Sequence, residues 1–187
     1  MKKTVKIIAA VLALVFALSL AACRKPDPKP VDPTNAPVND TTEAPATEAP
    51  AREYDVDELA KAIREGCTFE DQYVEKIEDR DFILRYYRID AATVSEKDGA
   101  KEVASYSAGS TPDLVLVLKA NDEAGAKAAL EAVQAMIDSY IENYTTYGPE
   151  QINKLETAVK IVKGQLLVVV ISADNDAAYE TVDKLLG

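Results

Sequence analysis

The chain has 187 residues, with 21 Lys and Arg against 32 Asp and Glu for a net charge of −11, and it contains no His, no Trp and two Cys. An excess of negative charge repels phosphate polymers, so nucleic acid is not expected as a partner. Without His, a Ser or Cys nucleophile lacks its usual base and zinc or copper its commonest ligand, which removes most familiar hydrolases and transition-metal enzymes.

In chain order, Lys2, Lys3 and Lys6 precede an apolar run from Ile7 to Leu20, which ends at Leu20-Ala21-Ala22-Cys23. A charged start, an apolar core and small residues are the three parts of an export signal. The run is shorter than the roughly 20 apolar residues that span a bilayer. Its tetrapeptide resembles the bacterial lipobox, which predicts cleavage after residue 22 and lipid on Cys23. The expected partner of this end is therefore the membrane, reached through acyl chains that each contribute about 0.8 kcal/mol per buried methylene. The expected location is the extracytoplasmic face. Residues 23–53 follow, and Arg24 to Glu53 hold seven of the nine prolines with almost no large apolar side chain. Such a segment cannot bury a core, and it is expected to be a disordered stalk.

Residues 54–187 have the size of one domain, carrying 14 Lys and Arg against 26 Asp and Glu, a net of −12. Cys67 has no intramolecular partner once Cys23 is lipidated, and it is expected in the core. Asp55 with Glu58 three residues on has capping-box spacing and starts a helix bearing Leu59, Ala62, Ile63 and Cys67. A second helix is predicted from Asp79 or Asp81, carrying Phe82, Ile83, Tyr86 and Tyr87. The segment with Phe69, Tyr73 and Ile77 is ambiguous. Lys101–Ser107 and Leu114–Leu118 read as a hairpin joined by Ala108–Pro112. Asn121 or Asp122 caps a long helix in which Leu130, Val133, Ile137, Tyr140, Ile141 and Tyr144 recur at helical spacing and which stops before Tyr147-Gly148-Pro149. A short helix from Pro149 to Glu156 and a second hairpin follow, the latter with strands Ala158–Val162 and Gln165–Ser172 turning at Lys163-Gly164. Asp174, Asn175 and Asp176 open the last helix.

The predicted fold class is α+β: an antiparallel four-stranded sheet from two hairpins, with a long helix between them and packed N- and C-terminal helices. Leu114–Leu118 and Leu166–Ile171 show no polar alternation, so both faces of these strands are expected to be covered.

Tyr106-Ser107-Ala108-Gly109-Ser110 before an apolar strand, then Tyr144-Thr145-Thr146-Tyr147-Gly148-Pro149-Glu150 after the long helix, then Lys163-Gly164-Gln165-Leu166-Leu167, together resemble the domain of unknown function 4358 family, small lipoproteins of Gram-positive bacteria. The resemblance spans nearly all of residues 54–187. It implies export and lipid anchoring, and it brings no activity or catalytic residues with it.

No cofactor is expected, since Ala108-Gly109-Ser110 matches neither the P-loop nor the dinucleotide fingerprint, and no metal site is assigned. Following chain direction, the loop Ser107–Pro112, the helix end Tyr144–Glu150 and the segment Ser172–Asp176 are expected to meet at one end of the sheet. They would gather Ser107, Ser110, Asp113, Tyr147, Glu150, Asp174 and Asp176, oxygen donors suited to a cation, an amine or a sugar. The plainer expectation is that Asp174 and Asp176 cap the last helix and Asp113 shapes a turn. Tyr140, Tyr144 and Tyr147 form either a sugar-stacking platform or, as the spacing favours for the first two, part of the core. The function expected is a non-catalytic binding or envelope module whose partner is an envelope protein or the wall glycan. The alternative is a carboxylate-dependent envelope enzyme such as a glycosidase.

Overall fold

The computed structural model describes residues 53–187. The expected signal peptide, the lipid on Cys23 and the stalk lie outside the described residues. None of the described helices is long and apolar enough to cross a membrane.

Each long helix begins where a carboxylate stands ready to accept from its first turn. Helix α1 (Val56–Gly66) is capped by Asp55, which accepts from the N–H groups of Asp57 and Glu58. Asp79, Asp122 and Asp174 do the same for α2 (Arg80–Tyr86), α3 (Glu123–Tyr147) and α5 (Asn175–Leu186). Between the last two, a 3-10 turn (Pro149–Gln151) leads into the short α4 (Ile152–Glu156). These caps satisfy N–H groups that a helix start otherwise leaves open, typically contributing about 1 kcal/mol each.

The strands are β1 (Glu75–Lys76), β2 (Glu96–Lys97), β3 (Ala100–Lys101), β4 (Val103–Ser107), β5 (Leu114–Lys119), β6 (Val159–Lys163) and β7 (Leu166–Ile171). The main sheet is antiparallel in the order β1-β4-β5-β7-β6, while β2 and β3 form a separate ribbon. The α+β class and the two hairpins agree with the sequence. The expected four strands become five, because β1 adds to the outer edge of β4 with Glu75 opposite Ser107 and Lys76 opposite Tyr106. Both β1 residues are exposed and charged, so no apolar period marks them. The expected strand Lys101–Ser107 is also broken. Lys101 turns away into the ribbon, and Arg80 secures the break by donating to the carbonyls of Lys101 and Val103.

Both faces of the central strands are covered, for a reason visible in the pleat. Alternate residues Leu114, Leu116 and Leu118 with Leu167, Val169 and Ile171 face α2, α3 and α4. Their neighbours Val115, Val117, Leu166, Val168 and Val170 face α1 and α5. The register fixes two ends. At the loop end Ser107 pairs with Leu114 and Leu114 with Ile171; at the turn end Lys163 pairs with Leu166 and Leu166 with Lys119. The turn end closes on Gly164, whose φ of +57° favours glycine. Both ends of the described chain meet there, since Tyr54 donates to the Leu186 carbonyl at 2.6 Å and Lys163 to those of Leu186 and Gly187 at 2.9 and 3.0 Å. Cys67 caps α1 and is only half-buried, packing against the α1–α5 cluster rather than inside it. Burial pushes its thiol up to about 11, which keeps it protonated.

Candidate functional site

The loop between β4 and β5 closes when Ala108 donates its N–H to the Asp113 carbonyl at 3.0 Å. The Asp113 side chain, fully buried, then becomes the centre of a clasp. Its Oδ2 accepts from the N–H groups of Glu70 and Asp71 at 2.8 and 2.9 Å, and its Oδ1 accepts from Lys154 Nζ at 2.7 Å. Lys154 also donates to Glu70 Oε2 at 2.7 Å, and the Gln151 amide donates to both Glu70 oxygens. One step further, Asn175 donates to the Lys154 carbonyl at 2.8 Å and accepts from Ser172 N–H at 2.9 Å. Segments 68–73, 108–113, 151–154 and 172–175 are thereby bound into one end of the sheet.

The clasp is electrostatically closed. Burial opposes the Lys154 charge, but its hydrogen bonds with Asp113 and Glu70 prevail and hold the ammonium above the ordinary lysine range. The Glu70 carboxyl is held below its usual value, first by the hydrogen bond from Lys154 and then by that from Gln151. Gln151 Oε1 is buried without a hydrogen-bond partner. The opposite amide orientation would set that oxygen against the Glu70 carboxylate, so the orphan acceptor is the smaller cost.

In front of the clasp a cavity of about 190 Å³ remains, lined by residues 107–112 and Leu114 on one side and by Tyr86, Tyr140 and Tyr144 on the other. The hydroxyls of Tyr86 and Tyr140 are hydrogen-bonded to each other, and the rings of Tyr140 and Tyr144 meet edge to face, 6.3 Å apart at 85°. Burial raises the pKa of Tyr140 and of Tyr144, so both phenols keep their protons at neutral pH. Both side chains also pack against the core cluster, as their helical spacing predicts.

The sequence-derived site residues divide into three groups. Ser107 and Ser110 line the cavity, with Ser110 Oγ donating to Asp71 Oδ2 at 2.5 Å. Asp113 belongs to the same end but lies behind the cavity, wholly engaged by the clasp. Tyr147, 89% exposed, does not line the cavity, and neither do the exposed Glu150, Asp174 and Asp176. Asp174 accepts from Ala177 N–H as a helix cap, and Asp176 sits in the first turn of the same helix. The three loops do converge, as chain direction predicts. Their carboxylates do not converge as ligands, and among the described residues no group of three or more acidic or thiol side chains is arranged to hold a metal ion. Sequence reasoning missed Glu70, Lys154, Gln151, Asn175 and Tyr86. A shallow groove elsewhere, between α3 and β6, is crossed by a hydrogen bond from Lys160 to Gln134 and gathers no comparable set of hydroxyls.

Residues 68–172 match the family described as Domain of unknown function (DUF4358), whereas no curated protein and no solved structure matches the chain. The matched span holds the whole sheet, the tyrosine-bearing layer, every residue lining the cavity and the clasp from Glu70 to Lys154; it stops short of α1 and α5. Matched over more than half its length, the chain belongs to the DUF4358 family.

Proposed function

We propose that this protein is a non-catalytic binding module, tethered by lipid on Cys23 to the extracytoplasmic face of the cell membrane, and that it binds an envelope component in the tyrosine-lined cavity. One observation carries the binding reading: at the end of the sheet where four segments meet, Asp113, Glu70 and Lys154 satisfy one another, while side chains that bear hydroxyls, Tyr144 among them, line an open cavity. A glycosidase needs two carboxylates free to act on either side of a bond. Here the buried carboxylate is saturated by two N–H groups and an ammonium, and its neighbour is bridged by the same ammonium. The tether is supported by the order of Lys2 to Lys6, the apolar run and Leu20 to Cys23.

Two measurements test the reading. Full-length protein extracted from membranes should carry acyl mass at Cys23, and Cys23→Ala should lose that mass and leave the membrane fraction; an unmodified Cys23 in the extracted protein ends the tether. The same detergent-solubilised protein should be retained by isolated envelope fragments and lose that retention in Tyr144→Ala. Retention that ignores Tyr144 ends the assignment of the cavity.

A further inference from the structure

The ligand class follows from what the cavity is made of, and the inference rests on reading the cavity as the binding site. Size acts first. About 190 Å³ equals roughly six waters and falls below the ~300 Å³ at which pockets for drug-sized molecules begin. The occupant is therefore one small ring, alone or as one residue of a longer chain.

Charge acts second. No charged side chain lines the cavity. The nearest ionic groups are already bound: Lys154 to Asp113 and Glu70, and Asp71 to Ser110 and the Tyr73 N–H. An ion entering would shed its hydration in a lining that carries no opposite charge, and an anion would also approach a domain of net charge −12. Neutral ligands carry neither cost.

Hydrogen-bonding character acts third. The polar side chains of the lining, Tyr86, Tyr140, Tyr144, Ser107, Ser110 and Thr111, all bear hydroxyls. Ser107, Ser110 and one of the Tyr86–Tyr140 pair already spend their hydrogen, on the Ala108 carbonyl, on Asp71 and on the other tyrosine, and so offer lone pairs, while Tyr144 and Thr111 keep a hydrogen to donate. They suit a ligand whose own groups do both. The perpendicular rings of Tyr140 and Tyr144 add an aromatic corner for apolar C–H groups. The geometry points to a single uncharged sugar ring, with hydroxyls around a C–H skeleton, as the occupant of this cavity.

Gly148 sets the corner. A Cβ at that position would stand 2.9 Å from Tyr144 Cδ1 and 3.3 Å from Cε1, so only glycine lets the ring lie against the backbone there. Gly148 is a positioning residue: its substitution moves a wall of the cavity without removing any lining atom.

The test uses the full-length lipidated protein in detergent micelles. With nine Tyr and no Trp, its intrinsic fluorescence is tyrosine fluorescence. It is titrated with N-acetylglucosamine, with its trimer chitotriose, with cationic glucosamine and with anionic glucuronate. We expect a saturable response to the neutral sugars and at least tenfold weaker binding of the two charged ones. Tyr144→Ala should weaken binding at least tenfold, Tyr144→Phe and Gly148→Ala several-fold, and Tyr147→Ala not at all. Tyr144→Phe keeps the ring, so the test survives if the alanine variant fails to fold. Chitotriose binding tenfold tighter than the monomer identifies a residue within a glycan chain; equal affinities identify a free monosaccharide. Absence of saturable binding by any neutral sugar, or binding equal in wild type, Tyr144→Phe and Gly148→Ala, overturns the inference. If the sugars fail while retention on envelope fragments still depends on Tyr144, only the sugar assignment falls; if retention is independent of Tyr144, the binding-site reading falls with it.

Discussion

The two faces of the sheet are built from the same strands and put to different uses. Toward α1 and α5, β5 and β7 present Val115, Val117, Leu166, Val168 and Val170 to a layer closed by Val56, Leu59, Ile63, Ala178 and Val182, with no buried ionic pair. Toward α2, α3 and α4 the alternate residues meet a layer that ends in tyrosines, a cavity and a buried carboxylate. The family match covers this second layer and omits α1 and α5. One face is a plain apolar seal, tolerant of any well-packed aliphatic set. The other carries polar groups whose positions must be held by partners, and those partners form the clasp.

The sharpest way to break this contrast is through Asp113. Asp113→Ala leaves Lys154 and the N–H groups of Glu70 and Asp71 without their acceptor, and should cost about 3–5 kcal/mol, read as a lower midpoint in urea unfolding. A loss under about 1 kcal/mol would show the clasp to be dispensable. On the opposite face, Gly66→Ala sets a Cβ 2.8 Å from Thr181 Cγ2 where α1 crosses α5, and overpacking of this kind should cost about 1–3 kcal/mol. Removing the obstructing methyl in Gly66→Ala/Thr181→Ser should recover most of it. Sugar binding by the folded protein should be unchanged in both variants, because the seal and the cavity lie on different faces.

The smallest effect is the response to pH. Glu70 has a lowered pKa, so its contribution is complete above the ordinary carboxyl value of about 4.3 and is lost as pH falls through its folded value. Lys154 has a raised pKa, so its contribution is complete below about 10.4 and is lost as pH rises through its folded value. The clasp should therefore hold between about pH 5 and 10. Glu70→Gln should flatten the acid limb of a melting-temperature profile and also shrink the alkaline limb, because Glu70 is one of the two carboxylates that raise the Lys154 pKa. An acid limb unchanged by that substitution would mean other carboxylates govern it.

Much of this architecture was legible because its signals are local. The carboxylates at positions 55, 79, 122 and 174 stand where helix starts need acceptors. The unalternating runs of β5 and β7 foretold two covered faces, and chain direction alone brought three loops to one end. The missed parts are either polar or distant. Asp98-Gly99, with φ of +54° and +80°, is a strong hairpin signal, but its flanks Glu96-Lys97 and Ala100-Lys101 carry no apolar alternation to announce the ribbon. Lys154 and Asp113 are 41 residues apart, and Tyr86 and Tyr140 are 54; no local pattern couples such pairs. Tyr147 misled for a geometric reason. At the last position of α3 it shares a helical face with Tyr140 and Tyr144, but 25 residues extend ~37 Å while the six of β5 extend ~20 Å, so the helix overhangs the sheet and Tyr147 stands in solvent.

The meeting of Tyr54, Leu186 and Gly187 at the turn end has a practical meaning for anyone handling this domain. The cavity opens at the other end of the strands, so a fluorescent reporter fused after Gly187 leaves its mouth unobstructed. The same proximity suits circular permutation: a short linker from Gly187 to Tyr54, with new termini opened at the exposed Asp98-Gly99 turn, would leave the five-stranded sheet and the tyrosine corner uncut.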